Sequence, residues 1–103
     1  MTLQDRAAAW HAARFPDARP YLVIIKTMAE LGELADAVIA AAGTSSAAGK
    51  EGDGVLGEAA DVLITLLVLA GRWDGGDLLA VTEAKLARLE TPGAHRASLK
   101  EEQ

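Results

Sequence analysis

Helical periodicity runs through four segments of the chain, each closed by residues that end a helix. The first spans about Leu3 to Arg14 and stops before Phe15-Pro16, because proline disfavours helical geometry in the residue ahead of it. The second opens near Pro20, a residue suited to a first turn, and continues to about Ala42, with Gly43 as its stop. Gly43 to Gly49 reads as a small polar linker, after which Asp53 or an earlier residue caps a third helix that reaches Ala70 or Gly71. Arg72 to Gly76 reads as a turn. Asp77 is a good N-cap for a fourth helix, roughly Leu78 to Leu89, closed by Pro92-Gly93. The prediction is a single all-α domain over residues 1–92 with a C-terminal tail over 93–103.

Four acidic residues interrupt this apolar pattern. At about 100° per residue, Lys26, Glu30, Glu33 and Ala37 share one narrow stripe of the second helix, while Ile24, Met28, Leu31, Leu34, Val38 and Ile39 cover the neighbouring face. The acids are therefore expected to border the core. In the third helix Gly54, Glu58, Asp61, Thr65 and Arg72 fall on one side, and Leu56, Leu63, Ile64, Leu66, Leu67, Val68 and Leu69 occupy most of the remaining circumference. A helix apolar nearly all round is expected to be buried, and carboxylates are rarely buried without a compensating charge or metal.

Each acidic pair is spaced i, i+3, which brings like charges together at a cost of a few tenths of a kcal/mol even in water. Alone, Glu30-Glu33 reads as a solvated face, whereas Glu58-Asp61, on a helix with little other polar surface, is open to either reading. Two pairs on adjacent apolar helices instead predict four carboxylates converging on one pocket of hard oxygen ligands, suited to Mg²⁺ or Mn²⁺. A di-iron carboxylate bundle places His three residues after Glu, and neither His11 nor His95 stands there. The glycines around Asp53 are not followed by Lys-Ser or Lys-Thr, so no Walker-type phosphate loop is present. Phosphate handling is expected to pass through metal.

Composition narrows the partners. Among 103 residues are twenty-two alanines and only 4% aromatic residues, which favours helix over sheet. A chain of this size has a modest core of its own, so oligomerisation is expected. The net charge of −5 argues against binding nucleic acid or acidic membranes through bulk charge. With no cysteine, thiolate zinc sites, disulfides and cysteine nucleophiles are excluded. Met1 to Ala13 lacks the apolar core of a signal peptide, and the longest strongly apolar run, Val62 to Ala70, is far shorter than the roughly 20 residues of a membrane span. A soluble cytoplasmic protein is expected.

Glu30-Leu-Gly-Glu33-Leu-Ala, followed after the linker by Glu58-Ala-Ala-Asp61-Val-Leu-Ile, resembles the ExxE…ExxD signature of the MazG-like nucleotide pyrophosphohydrolases, in the all-α NTP pyrophosphatase superfamily. The resemblance extends from about Trp10 to Lys85. It implies a four-helix bundle completed by dimerisation, often paired into a tetramer, and Mg²⁺-dependent hydrolysis of a nucleoside triphosphate to the monophosphate and pyrophosphate. Glu30, Glu33, Glu58 and Asp61 would then be metal ligands, with a metal-bound water attacking the α-phosphorus and one glutamate orienting it. Lys85 matches the lysine that opens the family's last-helix motif. Leu89 stands where an Asn commonly follows, and Ala29 where many relatives carry Glu. Lys26, Lys85 and Arg88 are the candidate phosphate-binding cations, with Arg96 as a substitute. Trp10 and His11 are the candidate base-binding residues, and Trp73 is expected to serve packing. A phosphoribosyl-ATP pyrophosphatase and a helical oligomerisation or regulatory module without turnover are the alternatives.

Overall fold

A computed structural model describes residues 1–43 and 54–93. It is all-α: α1 spans Leu3–Arg14, α2 Pro20–Ala41, α3 Gly54–Leu69 and α4 Leu78–Glu90, with a π turn over Ala70–Asp74 carrying α3 onward. The predicted linker beyond Gly43, the Asp53 cap, His95, Arg96 and the rest of the tail lie outside the described residues.

Local chemistry accounts for the helix ends. Thr2 and Asp5 form a reciprocal capping box, in which Asp5 N donates to Thr2 Oγ1 at 3.0 Å and Thr2 N to Asp5 Oδ2 at 3.1 Å. Pro20 opens α2, and Asp77 Oδ1 accepts from Ala80 N at 3.0 Å to open α4. The segment predicted as a turn from Arg72 is instead helical through Asp74, wound one residue per turn wider, and ends at Gly75 with φ +87°. That wider turn lies hard against α1. A Cβ at Gly71 would stand 2.7 Å from the Ala8 Cβ, so the approach requires glycine.

α2 and α3 form the main interface, and α1 with the π turn closes over one end of it. Among the described residues Val23, Ala37, Leu67 and Val68 are the buried hydrophobic side chains, joined by Thr27 and Glu30. Thr27 Oγ1 donates to Val23 O at 2.8 Å and lies 2.9 Å from Thr65 Oγ1, which pins the two helices at mid-length.

This register differs from the sequence expectation. The face of α2 turned to α3 carries Val23, Thr27, Glu30 and Ala37, whereas Ile24, Met28, Leu31, Val38 and Ile39 face outward. The apolar arc of α2 is wider than one neighbouring helix can cover, and the threonine contact selects its edge. Likewise α3 is not enclosed in the single chain, where only its Leu67 and Val68 are buried. By length and composition the 21 residues of Gly54–Asp74 are apolar enough to cross a membrane, a test that core helices of soluble proteins also pass.

α4 stands away from the rest. Gln4 of α1 holds its start, donating from Nε2 to Gly76 O at 2.6 Å and accepting from Leu78 N through Oε1 at 2.9 Å. Beyond that anchor Leu79, Val81, Leu86 and Leu89 are exposed. The radius of gyration is 16.5 Å, against about 13 Å for a compact chain of similar length.

Candidate metal centre and adjoining cavity

Glu30 projects from the buried face of α2, with Glu33 one turn on and Glu58 opposite in the first half of α3. Carboxylate oxygens of the three lie within 4.8 Å of one another. Lys26, one turn earlier on α2, donates to Glu30 Oε1 at 3.0 Å. The other oxygen of Glu30, Oε2, is buried without a hydrogen-bond partner, and so is Glu58 Oε2. Desolvating a carboxylate oxygen without a donor is costly, so these two atoms mark where the cluster could take up a cation.

Glu33 is exposed at the rim. Contact with the Glu30 carboxyl pushes its pKa above the ordinary glutamate value, with the charge of Glu30, partial desolvation and Glu58 adding to the rise. On the other side, the hydrogen bond and charge of Glu30, helped by Glu33 and Asp61, raise the Lys26 pKa. One ammonium is thus shared among several carboxylates. The donor set consists of hard carboxylate oxygens, which matches Mg²⁺ or Mn²⁺, and a divalent cation there would satisfy both orphaned atoms.

Beside the carboxylates opens a cavity of about 660 Å³, within the size range of small-molecule sites. Lys26, Glu30 and Asp61 line it together with Trp10, His11, Phe15, Thr65 and Val68. The aromatic residues support one another: Trp10 meets Phe15 edge to face at 6.2 Å between ring centres, and His11 lies 5.1 Å from Phe15.

The predicted residues therefore divide. Glu30, Glu33 and Glu58 come together; Asp61 is not in that group of three, but lines the cavity with Glu30 and acts on Lys26. Trp10, His11 and Lys26 line the cavity, while Lys85 and Arg88 ride on exposed α4, away from both cavity and carboxylates. Trp73 packs under Arg72, whose guanidinium carbon lies 4.6 Å from its ring centre. Sequence reasoning missed Phe15 in the cavity wall, the Thr27–Thr65 contact, and Arg72 as the partner of His11. Thr65 and Arg72 both stood on the polar stripe of the third helix, so a signal for them was present. No protein-family model, curated protein or solved structure matches the chain.

Because the Glu33 pKa is raised on folding, its contribution to stability is present below its unfolded value and lost as pH rises through the folded one. The melting temperature of the metal-free protein is expected to fall across the window just above the ordinary glutamate value of 4.5. Glu33→Gln should remove that part of the profile, and Mn²⁺ at pH 7 should reverse the loss in the parent chain. A profile unchanged by the substitution would contradict the carboxylate crowding.

Proposed function

We propose that this chain is a MazG-like nucleoside triphosphate pyrophosphohydrolase that uses Mg²⁺, with Mn²⁺ as a substitute. One observation carries the reading: two buried, unpartnered carboxylate oxygens beside a third glutamate, at the edge of an apolar cavity walled by aromatic rings. A nucleoside triphosphate needs both halves of that arrangement, a cation for its phosphates and a flat apolar slot for its base. The acidic chain repels a bare triphosphate, so the substrate arrives with its cation.

Glu30, Glu58 and Glu33 would hold the ion, with Asp61 as a further carboxylate at the cavity. When bound, Mg²⁺ supplies charge neutralisation of the phosphates and a bound water of lowered pKa. A water placed in the site would attack the α-phosphorus, the bond from that phosphorus to the α–β bridging oxygen would break, and pyrophosphate would leave. One glutamate of the Glu30–Glu33 pair would orient that water and take its proton. Lys26 is held against Glu30, within reach of a phosphate in the cavity. Lys85 and Arg88 contribute only from a neighbouring subunit, since α4 stands clear of its own cavity.

A second copy of the chain is the proposed cover for the outward apolar faces of α2, α3 and α4. Apolar patches of this extent are rare on monomers. The working form is a homodimer or a dimer of dimers in the cytoplasm, and α3 serves as a core helix of that assembly.

With Mg²⁺ and a panel of NTPs and dNTPs, the chain should release pyrophosphate and the monophosphate, and Glu58→Ala should lower the rate by 100-fold or more, on the order of a lost metal ligand. Equal rates from both would contradict the metal assignment. Release from phosphoribosyl-ATP alone would move the enzyme to that substrate, and no product from any of them would leave a helical module without turnover. Light scattering in detergent-free buffer should give a dimer or tetramer mass; a stable monomer, or recovery only with membranes, would overturn the proposed cover.

A further inference from the structure

The π turn sends Arg72 to α1 rather than to solvent. Its Nη1 lies 2.9 Å from His11 Nδ1 and donates to Phe15 O at 2.9 Å, and its Nη2 donates to Pro16 O at 3.4 Å. The guanidinium also stacks on Trp73. These contacts spend Arg72 on the protein, so it is not a spare cation for phosphate.

They also settle a proton. A guanidinium has donors and no acceptor, so in the Arg72 contact His11 Nδ1 must accept, and the neutral ring carries its hydrogen on Nε2. A protonated ring would set an N–H against an N–H. Burial first, and then the charge of Arg72, lower the His11 pKa below the ordinary histidine value, in agreement with that neutral form. With Nδ1 taken by Arg72, which is not part of the cavity lining, Nε2 is the ring nitrogen left for a ligand. Trp10 and Phe15, the neighbouring walls, offer rings to stack on.

We propose that Arg72 is a positioning residue that fixes His11 as an Nε2–H donor, and that this donor selects nucleotides whose base carries a carbonyl oxygen at C4 of a pyrimidine or C6 of a purine over those carrying an amino group there. The proposal rests on the nucleotide reading above. At C4 of a pyrimidine or C6 of a purine, uracil, thymine, hypoxanthine and guanine carry an acceptor carbonyl, whereas cytosine and adenine carry an amino group that sets a second donor against Nε2–H and leaves both unpaired.

The test uses α,β-methylene analogues of dUTP and dCTP, and of dITP and dATP, with Mn²⁺, and reads the ratio of Kd within each pair. The expected ratio is roughly tenfold or more in favour of the carbonyl base, the scale of one hydrogen bond against an unpaired donor. Arg72→Lys keeps the charge but not the fork of donors, and should bring the ratio near one while Mn²⁺ affinity stays unchanged. His11→Gln, whose amide reaches toward the position of Nε2, should keep most of the ratio; His11→Asn, which reaches only toward Nδ1, should lose it. Nitrogen-15 spectra, assigned with His11→Asn, should show Nδ1 bare and Nε2 protonated in the parent chain. The opposite tautomer, a ratio near one in the parent, or a ratio that survives Arg72→Lys and His11→Asn in folded protein overturns this proposal and leaves the pyrophosphohydrolase intact. Binding of Mn²⁺ with no nucleotide bound at all would overturn both.

Discussion

Like charge held at a helix interface is the constraint around which this chain is arranged. Glu30, Glu33 and Glu58 bring oxygens within 4.8 Å of one another where α2 and α3 meet, and Lys26 engages one oxygen of one of them. Desolvating an ionised carboxylate costs on the order of several kcal/mol even after the protein relaxes, against a total stability of about 5–15 kcal/mol for an ordinary domain. Four hydrophobic side chains are buried among the described residues to offset it. Such an arrangement is poor as a source of stability. It suits a site that a cation could complete, and the Thr27–Thr65 contact ties the two helices together beside it.

The rest of the architecture follows from keeping that interface open at one end. α1 and the π turn approach closely enough to need glycine at position 71, and residues of α1, α2 and α3 line the cavity. Its lining combines Glu30 and Asp61 with Trp10, His11 and Phe15, so a ligand with a charged part and a flat part fits its chemistry. α4, tied at its start by Gln4, leaves its apolar side chains exposed together with those of α2 and α3. Under the proposed function the net charge of −5 serves selection, because a triphosphate is admitted only in the company of a cation.

Much of this was legible in the order of residues. Pro20, Asp77 and the Phe15-Pro16 break are local punctuation, and the helices begin and end beside them because caps and prolines act within one turn. The convergence of Glu30, Glu33 and Glu58 was legible because each sits on a polar stripe of an otherwise apolar helix. The choice of face was not: α2 has an apolar arc wider than one partner covers, and which edge meets α3 depends on the long-range Thr27–Thr65 contact. The π turn was equally hidden. Arg72-Trp73-Asp74-Gly75-Gly76 carries turn residues, and its extra winding comes from packing against α1 and from the Arg72 contacts to His11, Phe15 and Pro16, none of which is local.

Titration of the metal-free protein with Mn²⁺, followed by the electron paramagnetic resonance signal of the free ion, tests the central claim most directly. The account predicts saturable binding at the carboxylates, competed by Mg²⁺, weakened 10-fold or more by Glu30→Gln or Glu58→Gln, and unaffected by Lys85→Ala. Absence of binding to the parent chain, or binding that both glutamine substitutions leave unchanged, would contradict it.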